Sequence, residues 1–410
     1  MEEENGKHTE IKVYRRRYAI AFMVVLLNIS NAAIWISYSP SATTIANYYD
    51  NIDVAKINAF SLVFLIVTMP MTFISTYIVN RFGMWDNQCH FSRFYTLYSH
   101  ESFSIMVSRI TASPSNYDSS NVLTNPLGIV IAQATVPVII NEEEDNIPLN
   151  NYIWMGLAVI CLILTFLCVT RSKPKTPPSL SAGKEKKKVS YFKQLKSAFS
   201  SLSYFLLFLA LGAGIGVFTA ISTATQQLLC PLGYSDEQVL MGVLVDKTKL
   251  FCEITKYAFG FGAIALIILF EFFLVPDVKG FIIVFAAIFG FFGVGSYPVG
   301  LELAVEVTYP IEESVSTAFI FLSGQLQGLI AVVLVQSLAR PQDSSRAYLN
   351  VCNGNIIDTA KEYSVPLMIV MGYMAILVIV MIILMKPKYK RLAEDRKEEQ
   401  KKTQINDHVT

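Results

Sequence analysis

Polar and apolar residues in this chain come in long blocks, without the short alternation of a half-buried strand. Stretches without any Asp, Glu, Lys or Arg occupy 18–49, 57–80, 119–141, 146–170, 197–235, 257–270, 280–301, 314–339 and 363–385. A bilayer core about 30 Å thick needs about 20 mostly apolar residues per crossing helix. Eight of the nine stretches reach that length, and 257–270 reaches it only by continuing past Glu271 to Val275. The pattern predicts an all-α membrane protein with about nine recognisable spans.

The charges between the stretches predict orientation. One basic cluster (Lys12, Arg15, Arg16, Arg17) precedes the first stretch. A second runs from Arg171 to Lys196 and opposes nine Lys and Arg to a single acid, Glu185. A third (Lys386, Lys388, Lys390, Arg391) follows the last stretch. Lys and Arg stay preferentially on the cytoplasmic side, so all three clusters are expected there. The acidic residues Glu142–Asp145 then face outward. Because the first stretch is far too long for the h-region of a cleaved leader, it reads as a first membrane helix and signal anchor.

Counting spans against these clusters exposes a mismatch. Four stretches separate the first two basic clusters, which returns the chain to the same side. Five separate the second from the third, and an odd number cannot. Between Leu229 and Tyr257 there is only a short apolar scrap, Val239–Val245. A second irregularity lies at 85–118, which is polar, aromatic and mixed in charge and reads as loop or as a replacement of other sequence. The expected organisation is an N-terminal tail (1–17), a helical half (18–170), a basic linker (171–201), a second helical half (202–385) and a C-terminal tail (386–410).

Composition agrees with a membrane chain and narrows the chemistry. Residues are 53% hydrophobic and 16% charged, against about 25% charged in soluble chains. A net charge of +1 leaves no global basic field for nucleic acid. The six cysteines form no CxxC pair and no metal-ligand spacing, so no metal or cofactor is expected. Cys230 and Cys352 flank apolar stretches and could pair. His8, His90, His100 and His408 all lie outside the stretches, and no HExxH or GxSxG motif occurs, which argues against an enzyme.

Two helical halves joined by a long basic loop resemble the major facilitator superfamily. Its fingerprint is a short Gly/Asp/basic motif after the second helix of each half. Gly242, Asp246, Lys247 and Lys249 fit it in the second half, and Arg81 with Gly83 gives a weaker copy in the first, where Asn80 replaces the acid. A finer resemblance is to the solute carrier family related to the feline leukaemia virus subgroup C receptor. It rests on Asn31–Tyr38, on Asn125-Pro126-Leu127-Gly128, and on the string from Pro298 to Pro310. The resemblance implies a transporter with twelve helices, working by alternating access on a small organic solute, with choline or ethanolamine among the expected classes. It implies further that the third family helix and most of the fourth and eighth are missing here, at 85–118 and around Met241–Val245. The alternative is a shortened, non-transporting splice variant or gene model.

Residue by residue, the resemblance implies a substrate pocket at Asn31, Trp35, Asn125, Phe218, Thr219 and Gln325. Trp35 would supply a cation–π wall. Gln325 would offer its amide to a hydroxyl, unless it only bonds a neighbouring helix. Pro126 and Thr219 stand where the choline carriers have a glutamine and a tyrosine. Glu302 and Glu306 are one turn apart and share a helix face, as gate or coupling acids. Glycines 212, 214, 216, 290, 293, 295 and 300 are expected to let helices approach closely, with hinging as the second reading. The expected partners are a small-molecule solute and the lipid bilayer, and the protein is expected to be a monomer.

Overall fold

A computed structural model describes residues 16–50, 52–82, 117–140, 146–168, 190–229, 251–272, 275, 278–295, 297–311, 313–341, 361–387, 389–391 and 393. The helices are α1 (Arg16–Ile36), α2 (Ala42–Tyr48), α3 (Val54–Phe82), α4 (Tyr117–Ile140), α5 (Ile147–Cys168), α6 (Tyr191–Phe199), α7 (Leu202–Leu229), α8 (Phe251–Phe272), α9 (Lys279–Phe289), α10 (Tyr297–Thr308), α11 (Glu313–Ser337) and α12 (Ser364–Leu384). A two-residue hairpin, β1 (Arg340–Pro341) with β2 (Lys361–Glu362), precedes α12. Seven segments are long and apolar enough to cross a membrane, and Val25–Ile36 and Thr124–Ile140 are shorter apolar helices. Each of the nine uncharged stretches therefore carries a helix.

Helices are the expected answer to an apolar environment, because every backbone N–H and C=O must be satisfied within the segment. Hydroxyls inside them bond back to carbonyls one turn earlier, as Thr72 does to Thr68 (2.8 Å) and Thr135 to Ile131 (2.7 Å). Pro70, Pro126 and Pro137 sit within α3 and α4.

Four expected segments take a more detailed form in the structure. The stretch 18–49 is not one span. Ser37 and Ser39 turn the chain after Ile36 through short i→i−3 bonds, Pro40 follows, and α2 is a separate short helix. The stretch 280–301 lies within one membrane-length segment, Gly280–Thr308, in which a π-turn occupies Gly290–Val294. Within 85–118, Tyr117 and Asp118 already belong to α4, while 85–116 lies outside the described residues. Inside the linker 171–201, residues 191–199 form α6. Its inward positions recur at helical spacing, with Tyr191, Gln194 and Ala198 buried.

Two apolar cores result. The first is built from α1, α2, α4 and α5 with the start of α3, around Ala33, Ile36, Ile45 and Val136. The second joins α6 to α12 around Tyr204, Leu207, Leu211, Leu266 and Ile320. Inside the first, α1 packs on α4, where a Cβ on Gly128 would lie 2.5 Å from the carbonyl oxygen of Ile29. Inside the second, α7 packs on α11 along their lengths, and a Cβ on Gly216 would lie 2.9 Å from the backbone nitrogen of Gly328. The glycine reading holds there, and also at Gly300, whose Cβ would meet Leu211. It does not hold at Gly290, where a Cβ would meet nothing within 4 Å. Gly290 opens the π-turn instead. Across the junction between the cores, α3 lies along α11.

Candidate functional site at the junction of the two cores

The C-terminal end of α1 brings Trp35 to the junction. Its ring stacks with Phe64 of α3 at a centroid distance of 6.1 Å and an interplanar angle of 24°. The Ser61 hydroxyl donates to the Trp35 carbonyl oxygen at 3.2 Å, tying the two helices beside the ring. Phe218 of α7 is the residue that packs against both cores. Trp35 also packs against the first core, so the sequence-predicted pair Trp35 and Phe218 both border it, one from each half.

Two buried polar atoms of the predicted set have no hydrogen-bond partner among the described residues. They are the indole nitrogen Nε1 of Trp35 and the amide oxygen Oε1 of Gln325. One is a donor and the other an acceptor. A neighbouring amide takes the structural role open to Gln325 in the sequence. Gln327 Nε2 donates to the Leu209 carbonyl oxygen (3.2 Å) and to Ser323 Oγ (2.8 Å), and its Oε1 accepts from the Tyr373 hydroxyl (2.8 Å). Helix-to-helix bonding therefore belongs to Gln327, two residues on.

The other predicted residues divide. Asn31 lies one helical turn before Trp35 on α1, and Asn125 lies on α4; both are half-buried. Thr219 is only 4% exposed and its Cγ2 would be 3.0 Å from a Cβ on Gly328, which places it in the α7–α11 seam. Glu302 and Glu306 are half-buried on α10, one turn apart. Arg81 falls within α3, but its side chain is outside the described residues, as are Gly83, Gly242, Asp246, Lys247 and Lys249. Cys230 and Cys352 are also outside them. Among the described residues no group of His, Cys, Asp and Glu is arranged to hold a metal ion.

The structure adds polar residues that periodicity did not single out. Ser39 Oγ, just past α1, donates to the carbonyl oxygens of Ser222 (2.9 Å) and Thr223 (2.8 Å) on α7. Gln133 Nε2 of α4 donates to the same Ser222 carbonyl at 3.2 Å. Tyr38 donates to Asn151 Oδ1 at 3.1 Å and packs edge-on against Phe60. Ser39 and Gln133 thus tie the first half to α7, while the Tyr38 contacts stay within the first half. Toward the other end, Thr76 of α3 shares a 2.9 Å hydrogen bond with Tyr191 of α6, and Phe73 meets Phe319 of α11 edge-on. Burial pushes the Tyr191 phenol up, and the bond to Thr76 partly offsets this. A serine or glutamine carries no sequence signal for such a role, because its partners are backbone carbonyls 89 to 184 residues away.

Comparison with known proteins now bears on this geometry. No protein-family model matches the chain. It is 30% identical to an uncharacterized protein of Caenorhabditis elegans over 96% of this chain and 88% of that one. It is 28% identical to solute carrier family 49 member A3 of Xenopus tropicalis, covering 99% of this chain and 94% of the relative. Human choline/ethanolamine transporter FLVCR2 is 25% identical over 79% of this chain and 72% of its own length. Among solved structures, an auto-inhibited peptide transporter of the POT family superposes with a TM-score of 0.54 at 10% identity, over 90% of this chain and 96% of that one. Helices long enough to span, two cores meeting at α3–α11 and this set of relatives agree: the chain is a multi-pass membrane transporter of the major facilitator superfamily type, with solute carrier family 49 member A3 and FLVCR2 among its relatives.

Proposed function

We propose that this protein carries a small organic solute by alternating access, and that the solute binds at the junction between Trp35, Phe218 and Gln325. The observation that carries the proposal is the pair of unpartnered polar atoms, Trp35 Nε1 and Gln325 Oε1. A buried polar atom left without a partner costs about 1–3 kcal/mol. A solute hydroxyl can accept from the indole and donate to the amide, which removes that cost. An ammonium group on the same solute would be stabilised by the Trp35 and Phe218 faces. An amino alcohol fits both demands, and FLVCR2 is named for two such molecules. Thr219 and Pro126 offer less to a cation than a tyrosine and a glutamine would, so the ammonium rests on the Trp35 and Phe218 faces alone.

Within the family the chain sides with solute carrier family 49 member A3, which it matches over more of both lengths than FLVCR2. Its tails and the basic linker face the cytoplasm, by the charge argument. The Ser39 end of the junction is then extracellular and closed. Glu302 and Glu306 serve as gate or coupling acids, and the Arg81 and Asp246 motifs are the gating sequences of the two halves. The test is uptake of radiolabelled choline, ethanolamine and neutral amino-alcohol analogues into cells expressing the chain with Trp35→Ala beside it. Uptake that Trp35→Ala abolishes supports the site; equal uptake by the two removes it.

A second reading rests on a separate observation. The alignment with the C. elegans relative is 450 positions long, whereas 96% of this 410-residue chain is about 394 residues. About 56 positions of that alignment therefore face gaps in this chain. That is two to three membrane helices' worth of sequence, as the span parity and the segments at 85–118 and 230–250 require. On this reading the chain is a shortened form whose helical halves are incomplete and which does not transport. Long-read sequencing of its transcripts decides: a dominant message encoding these 410 residues argues against an incomplete gene model, and uptake by this form argues against loss of transport.

A further inference from the structure

The linker between the two halves carries a feature that solute transport does not use. Helix α6 is nine residues long and strictly two-sided. Tyr191, Gln194 and Ala198 are buried, and Leu195 and Phe199 lean on the same core. Tyr191 reaches across to Thr76 and Tyr77 of α3, while Phe199 and Tyr191 both meet Phe319 of α11. One short helix thus touches both halves at one end of the bundle. Its outer side is unusual: Phe192 is 69% exposed and shares that side with the exposed Lys193 and, one turn on, Lys196. Its ring lies 6.5 Å from that of Tyr77, itself exposed near the end of membrane helix α3. Among the described residues no acid pairs with either lysine.

An exposed phenylalanine flanked by lysines is unfavourable in water and well suited to a membrane interface. There the ring enters the acyl boundary and the ammonium groups reach the phosphates. Charge points to anionic phospholipid as the occupant. The segment from Arg171 to Lys196 carries nine Lys and Arg against one acid, immediately beside a membrane helix. Such segments are attracted to acidic headgroups, each basic residue near the surface adding roughly fivefold to the partition.

We propose that the outer side of α6, with Phe192, Lys193 and Lys196, binds anionic phospholipid of the cytoplasmic leaflet and thereby holds α6 against both halves. The proposal is independent of which solute is carried. The test uses the purified full-length chain in mixed micelles of 70% phosphatidylcholine and 30% phosphatidylserine, a composition set by the experimenter at about the level of an anionic leaflet. Lipid retained after washing is quantified by mass spectrometry. Phosphatidylserine is expected to be enriched above the input ratio. The enrichment should fall by at least about fivefold in Lys193→Gln/Lys196→Gln and survive in Lys193→Arg/Lys196→Arg. It should also fade in 0.5 M sodium chloride, where the Debye length shrinks to about 4 Å. Both lysines are exposed, so the variants keep the buried contacts of α6. No enrichment in the unmodified chain, enrichment indifferent to salt, or enrichment unchanged in the glutamine variant would each overturn the proposal.

Discussion

Single residues at the junction make opposite demands on their neighbours, and substitutions separate them. Gly216 approaches the backbone of Gln327 and Gly328, where an added Cβ finds the Gly328 nitrogen at 2.9 Å. Backbone atoms cannot swing aside as a side-chain tip does. Gly216→Ala is therefore expected to destabilise by about 1–3 kcal/mol, the usual cost of overpacking, despite the better helix propensity of alanine. Gly260 makes the matched control, because its Cβ would meet only Ile382 Cδ1 at an ordinary 3.6 Å. Gly260→Ala should leave the unfolding temperature in detergent unchanged or slightly raised, and equal losses in the two variants would contradict the seam. Gln327 and Gln325 form a second contrast. Gln327→Leu removes three hydrogen bonds, two of which tie α11 to α7 and α12, and should lower stability by about 1–3 kcal/mol. Gln325→Leu replaces an acceptor with no partner among the described residues and should leave stability intact while weakening solute binding. Sequence could nominate Gln325 through resemblance, but two glutamines spaced by one residue look alike until the tertiary contacts of each are known.

Helix α6 is the element whose behaviour the chain's composition concealed. A Lys-rich linker reads as solvated sequence, yet its last turns bury a tyrosine between the halves. The Tyr191 phenol is held above its usual value of 10.0 by burial, so the folded chain keeps that proton where the unfolded chain loses it. The sign follows: the docked state is unaffected below about pH 10 and loses stability as pH rises beyond it. Proteolytic cutting near α6 should increase above pH 10 in the unmodified chain. Tyr191→Phe should remove that pH dependence while giving up only the Thr76 bond. Persistence of the alkaline response in Tyr191→Phe would assign it to another group.

At the scale of the molecule, alternating access requires one end of the junction to open as the other closes. In this structure Ser39 and Gln133 from one half hold the Ser222 and Thr223 carbonyls of the other. Each such bond contributes about 0.5–1.5 kcal/mol. Ser39→Ala, which loses one hydroxyl donor shared by the two carbonyls, should shift the closed-to-open ratio by roughly two- to tenfold. Hydrogen–deuterium exchange of peptides covering 219–229 reads the shift as faster exchange, and unchanged exchange would mean that this end stays closed by other means. What the sequence determined by itself was the class. Apolar blocks of bilayer length dictate helices because lipid leaves no alternative for the backbone, and nine such blocks each carry a helix in the structure. Only the tertiary structure decided where α1 stops, that α6 exists, and which polar groups face a partner. Those depend on contacts between residues far apart in the chain, such as Ser39 with Thr223 or Thr76 with Tyr191. A hydropathy pattern records only that a residue prefers lipid or water, so it carries no information about which distant group a buried hydroxyl or indole will meet.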